Sequence, residues 1–130
     1  MPHTKKVIII GCSKSKKGKR SKAMDLYNGT LWKTFRKNDN GKYRVFALSA
    51  KYGLIPAEKV ISDYDSLLGR DITDVQLEKK VSQQLKKYKL GKPFVFASKR
   101  YAKVLKDAGL SFNFVSGGIG DKAQKLKRLL

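Results

Sequence analysis

The sequence holds one cysteine, Cys12, and one histidine, His3. A single thiol can make neither an internal disulfide nor a cysteine cluster for zinc, so the fold is expected to stand without cross-links and without a metal site. His3 lies in a short leader, Met1-Pro2-His3-Thr4-Lys5-Lys6, ahead of the first apolar run, which removes a histidine-centred triad from the expected chemistry. Acids are scarce: 10 Asp+Glu face 30 Lys+Arg, a formal net charge of +20. Long apolar stretches are missing too. The run Val7–Ile10 is too short for the core of a signal peptide, and no segment is long enough to span a bilayer. No basic amphipathic helix carries the bulky aromatic face of an interfacial anchor. The expectation is a cytoplasmic protein without membrane contact.

What is present points to a folded body. A hydrophobic content of 41% is enough to build a core, so the lysines decorate a domain and do not mark a disordered tail. A chain of 130 residues fits one domain, 1–130, able to bury roughly two thirds of its unfolded surface. A charge of this size calls for a polyanionic partner, and nucleic acid is expected over a membrane surface. Nothing in the sequence signals an oligomeric state.

Four apolar runs read as strands: Val7–Gly11, Tyr43–Ser49, Phe94–Ser98 and Phe112–Val115. Continuous runs suit strands covered on both faces, as in a parallel sheet. Helical patterns fall between them. Ala23, Tyr27, Leu31 and Phe35 recur every four residues, with Asn28-Gly29 placed to break that helix in two. Leu77, Val81, Leu85 and Tyr88 form a second stripe with Thr73 as N-cap. Ser98 caps a third helix that turns Tyr101, Leu105 and Ala108 inward and stops at Gly109. Ile119, Ala123, Leu126 and Leu130 stripe the last. Alternation of strand and helix predicts an α/β fold, a small open three-layer sandwich with a mainly parallel sheet of about four strands.

Ligands of such sheets collect outside the carboxyl ends of the strands. Those ends read Gly11-Cys12-Ser13-Lys14, Ser49-Ala50-Lys51-Tyr52-Gly53, Ser98-Lys99-Arg100-Tyr101 and Ser116-Gly117-Gly118-Ile119-Gly120. Small hydroxyl residues stand there, followed by cations or glycines. Neither glycine loop matches a nucleotide fingerprint. Gly18-Lys19 is followed by Arg20 where a Walker loop needs Ser or Thr, and the last glycine loop has no strand with an acid after it. No cofactor is expected. Glycines that open a helix still present N–H groups to phosphate, which makes Gly117, Gly118 and Gly120 candidate phosphate contacts, with a plain turn as the alternative. Lys14, Lys16, Lys17, Lys19, Arg20 and Lys22 extend outward from the first strand end, either as phosphate ligands or as a solvated loop. Cys12 is a candidate nucleophile or a small residue packed at a strand end.

The segment Val60-Ile61-Ser62-Asp63-Tyr64-Asp65-Ser66-Leu67-Leu68 stands out because acids are so few. Two carboxylates beside a site for an anionic substrate repel it, so their presence suggests chemistry: orienting water or stabilising a sugar cation as a base departs. A turn or helix cap is the alternative.

Four stretches in order, Leu26-Tyr27-Asn28-Gly29, Leu48-Ser49-Ala50-Lys51-Tyr52-Gly53-Leu54-Ile55-Pro56, Ile61-Ser62-Asp63-Tyr64-Asp65 and Ala97-Ser98-Lys99-Arg100-Tyr101, resemble motifs of the YaaA family of peroxide-stress proteins. The chain is more similar still to small phage and bacterial relatives with a Gly-Cys-Ser-x-x-Lys strand end. YaaA proteins are about twice as long and are associated with DNA binding and protection from oxidative damage. The resemblance implies DNA over RNA as partner. It implies a site drawn from Cys12, Ser13, Lys14, Lys16, Tyr27, Ser49, Lys51, Tyr52, Gly53, Asp63, Tyr64 and Asp65, with Ser98 and Tyr101 beside them.

The expected function is a nucleic-acid-binding enzyme acting on a base or nucleotide, by N-glycosidic cleavage or exchange of the DNA glycosylase kind. Asp63, Asp65, Lys14, Ser13 and Cys12 are the expected catalytic residues. Lys16, Lys17, Lys19, Arg20, Lys51, Ser98, Lys99, Arg100 and the three glycines are expected to hold phosphates. Tyr27, Tyr52, Tyr64 and Tyr101 are expected to stack on an extruded base. Two alternatives stay open: a non-catalytic basic DNA-binding accessory or phage host-takeover protein, and an enzyme of free nucleotides.

Overall fold

A computed structural model describes residues 6–12, 20–27, 29–61, 69 and 71–130. Strand β1 (Val7–Gly11) is the centre of the sheet. Its side chains alternate between faces: Val7 and Ile9 enter one apolar cluster, Ile8 and Ile10 the other. Helices cover both faces, which is why the strand is apolar throughout and does not alternate with polar residues. Ile8, Ile9 and Ile10 have no exposed surface, and each such side chain contributes about 1.5–3 kcal/mol of burial before conformational entropy is subtracted.

The remaining elements are β2 (Ser21–Lys22), α1 (Ala23–Leu26), α2 (Thr30–Asn38), β3 (Arg44–Ser49), β4 (Gly53–Pro56), β5 (Val60–Ile61), α3 (Asp74–Leu85), β6 (Phe94–Phe96), α4 (Lys99–Asp107), β7 (Asn113–Phe114) and α5 (Ile119–Leu129). The main sheet runs β4-β3-β1-β6-β7. Strand β1 is parallel to β3 and β6, β6 is parallel to β7, and β4 returns antiparallel to β3. Ile9 lies between Phe46 and Val95 in register. Residues of α1, α2 and α5 pack with Ile8 and Ile10, whereas Leu77 and Val81 of α3 and Val104 and Leu105 of α4 pack with Val7 and Ile9.

Local chemistry accounts for the helix ends. The chain divides α1 from α2 at the expected Asn28-Gly29 break, and Gly29 is the N-cap of α2. Thr73 and Gln76 form a reciprocal capping box at the start of α3. Ser98 caps α4 by accepting from the Tyr101 N–H. Gly109, at φ +102°, turns the chain out of that helix, and the Leu110 N–H closes back on the Leu105 carbonyl.

The structure departs from the sequence reading in four places. The sheet has five strands: Gly53, at φ +71°, reverses the chain so that Leu54–Pro56 pairs back along β3, a hairpin hidden in what reads as one loop. Short β2 and β5 form a separate antiparallel ladder, Ser21 opposite Ile61. Strand β7 is an exposed edge, not a strand covered on both faces. Tyr88 lies beyond the end of α3, with its ring edge-on to Phe46 at 5.0 Å. Among the described residues no helix is long and apolar enough to cross a membrane.

Candidate functional site

The chain leaves β1 toward β3 on one side, and leaves β6 toward β7 on the other. Neighbouring strands whose connections diverge leave a crevice between their carboxyl ends. A cleft of about 330 Å³ lies there, at the small end of the range for ligand sites. Gly11 and Cys12 from β1, and Phe96, Ala97 and Ser98 from β6, supply its strand side. The first turns of three helices complete it: Thr30, Leu31 and Trp32 of α2, Tyr101 of α4, and Ile119 and Lys122 of α5. Three helix N-termini thus meet at one opening, and their dipoles make it favourable to negative charge.

Hydrogen bonds fix the wall. The Trp32 indole N–H donates to the Gly11 carbonyl at 3.0 Å, and the ring is fully buried. The Cys12 N–H donates to the Leu48 carbonyl at 2.9 Å, which locks the strand end to β3. The Cys12 thiol is half-buried, with Sγ 3.3 Å from the Tyr101 hydroxyl. Burial, and next the neighbouring Cys12 sulfur, push the Tyr101 phenol far above the ordinary tyrosine value. Lys122 reaches across the cleft from α5, and its Nζ donates to the Ala97 carbonyl at 3.0 Å.

A family model matches residues 7–127. The chain belongs to DUF6884, a family of unknown function. Neither the curated proteins nor the solved structures contain a match. The DUF6884 span begins with the first residue of β1 and ends inside α5, so every residue lining the cleft falls within it.

Of the residues expected in the site of this DUF6884 chain, Cys12, Ser98 and Tyr101 line the cleft together. Ser13, Lys14, Lys16, Lys17, Lys19, Asp63, Tyr64 and Asp65 lie outside the described residues. Arg20 is exposed just before β2. Lys51 and Tyr52 stand one strand over, at the end of β3, with Lys51 Nζ 5.3 Å from the Tyr52 ring centre. Their turn is built by its own sequence: the buried Ser49 hydroxyl accepts from the Lys51 and Tyr52 N–H groups. Gln84 of α3 donates to the Tyr52 carbonyl and accepts from the Leu54 N–H, which gives Ser49 and Gly53 structural work in that motif.

One expectation needs correction, and the structure bears on two others. Tyr27 cannot stack on an extruded base, because it has no exposed surface and its ring packs 5.5 Å from Trp32. Its place in the repeat of four reflects the core. Arg100 is engaged by Asp74, with Nη2 at 2.7 Å and Nε at 3.2 Å, so a phosphate must compete with a carboxylate for it. Arg100 in turn holds the Asp74 carboxyl below its usual range. Gly117, Gly118 and Gly120 set the approach to α5 but do not line the cleft, and Lys99 is exposed beside it. The sequence reading missed Trp32, Thr30 and Lys122. The signal for Trp32 was the break at Asn28-Gly29: it restarts the helical phase and turns positions 31, 32 and 35 inward together.

Among the described residues the cleft is lined by no carboxylate. The acidic segment 62–68 follows Ile61 of β5 and precedes Gly69. A methyl group on Gly69 would lie 2.6 Å from an Arg100 guanidinium nitrogen, and Arg100 immediately precedes Tyr101 in α4. Gly69, the downstream flank of the acidic segment, therefore packs against the Arg100 side chain, which is paired with Asp74.

Proposed function

We propose that this DUF6884 chain is a single-domain, open three-layer α/β sandwich of YaaA-like kind that binds nucleic acid and takes a base or nucleotide into the cleft between β1 and β6. The observation that carries this reading is the convergence of three helix N-termini on a cleft with Cys12 and Tyr101 in its lining, in a chain of net charge +20. The basic surface supplies affinity for the phosphate backbone, and the cleft supplies a compartment of base size. DNA is the favoured partner and the cytoplasm the favoured compartment.

The proposed reaction is cleavage or exchange of an N-glycosidic bond. The C1′–N bond breaks, the base departs with the bonding electrons and gains a proton, and a water oxygen or incoming base bonds to C1′. Tyr101, in the cleft lining, donates a hydrogen bond to the bound base. Asp63 or Asp65 manages water or the sugar cation. One observation favours a second reading: the described lining has no carboxylate, as suits a non-catalytic accessory that only grips nucleic acid.

The test measures binding and product on the same oligonucleotides, single- and double-stranded, normal and base-modified. Affinity should fall about 10³-fold or more between 50 and 200 mM salt if six or more phosphates are neutralised. Mass spectrometry should detect released base without added metal. No binding at low salt, or binding indifferent to salt, overturns the nucleic-acid reading. Salt-dependent binding with no product on any substrate overturns the enzymatic part and leaves the accessory.

A further inference from the structure

Strand β7 ends the sheet with an aromatic ring facing outward. Phe114 is 37% exposed, the aromatic side chain most open to solvent among the described residues. Asn113 beside it is exposed as well, so the β7 edge is open to solvent. The ring is not isolated. Lys122 Nζ stands 5.6 Å from its centre, and the same Nζ donates to the Ala97 carbonyl in the cleft. One lysine thus links the exposed ring to the site. One turn on, Lys125 Nζ donates to the Ser116 carbonyl at 3.2 Å, which holds the β7–α5 connection under the same helix face. The helix then continues through Lys127 and Arg128.

An exposed aromatic ring with a lysine over it and further cations on the same helix, on a chain of net charge +20, is suited to unpaired bases: a base stacks on the part of the ring left open and the cations take the flanking phosphates. We infer that Phe114, with Lys122 and Lys125, forms a stacking platform for single-stranded nucleic acid at the mouth of the β1–β6 cleft. The inference rests on the nucleic-acid reading above and adds strandedness and a path to it. Bases in a duplex already stack on one another and offer no free face, so the platform selects a strand that is open or opened.

The test compares the parent with Phe114→Ala and Phe114→Tyr, using fluorescence anisotropy of three probes: an oligothymidine single strand, the same length of abasic single strand, and a duplex. Phe114→Ala should weaken oligothymidine binding roughly 5- to 100-fold, the loss of one stacked base, while leaving abasic and duplex affinities within about twofold and the salt slope unchanged. Phe114→Tyr keeps the ring and should restore parental affinity. An RNA single strand in the same assay reports which backbone the platform prefers. Equal losses on all three probes, or no loss on oligothymidine, overturn the platform. A shift of oligomeric state in Phe114→Ala by sedimentation overturns it in favour of a subunit contact at the β7 edge. If the parent itself binds no probe, the nucleic-acid reading fails; if the parent binds and Phe114→Ala binds equally, only the platform fails.

Discussion

Replacing Trp32 by alanine should cost the fold about 3–5 kcal/mol, the range for deleting a large buried aromatic and leaving a cavity. Total stabilities of domains are about 5–15 kcal/mol, so the variant should be largely unfolded near body temperature or melt far below the parent. The size of the effect follows from where the ring sits. It has no exposed surface, packs against Tyr27 and edge-on to Phe35, and its N–H closes the end of β1 by donating to Gly11. Trp32→Phe keeps most of the volume and loses the donor, and should cost about 1 kcal/mol plus the smaller ring's burial. Circular dichroism is the readout, since the chain has one tryptophan and the variant loses its own fluorescence probe. A Trp32→Ala protein within about 1 kcal/mol of the parent would show that the β1 end is held by something other than this wedge.

The second large effect concerns Asp63→Asn and Asp65→Asn. At least one should reduce turnover about 10²- to 10⁴-fold, the usual contribution of a positioned acid–base group. Binding of nucleic acid should be unchanged or tighter, because a negative charge beside phosphates has gone. A merely structural turn gives the opposite pattern: a lower melting temperature, with activity lost only in proportion to folded protein. Measuring binding, melting and product on the same two variants separates the cases. Full turnover in both would remove the acidic segment from the chemistry.

Much of the frame was legible in the sequence because it is local. The run Val7–Gly11 reads as a fully covered strand by composition, and Thr73 and Ser98 announce helix starts because capping chemistry acts over three residues. The strand-end rule then led to Cys12, Ser98 and Tyr101, which the fold does bring together. What escaped depends on contacts distant in sequence. Strand β4 exists because Gly53 allows a reversal that Gln84, thirty residues on, clamps in place. Tyr27 looks like a free aromatic until α2 closes over it. Lys122 follows the strand ends by a helical turn, and only the packing of α5 beside α2 carries it to the Ala97 carbonyl. Phe114 reads as core in the pattern Phe-Asn-Phe-Val, and it is the sheet order that leaves β7 at an edge.

The occupancy of the cleft can be read at Cys12, the chain's single thiol and part of the cleft lining. Alkylation by iodoacetamide, followed by intact mass, gives one rate with no other site to confuse it. If nucleic acid places a base or nucleotide between β1 and β6, a single strand held well above its dissociation constant should slow that rate about tenfold or more, since only the unoccupied fraction reacts. A strand shown by anisotropy to be bound, with Cys12 alkylated as fast as in the free protein, would contradict the assignment of this cleft as the site.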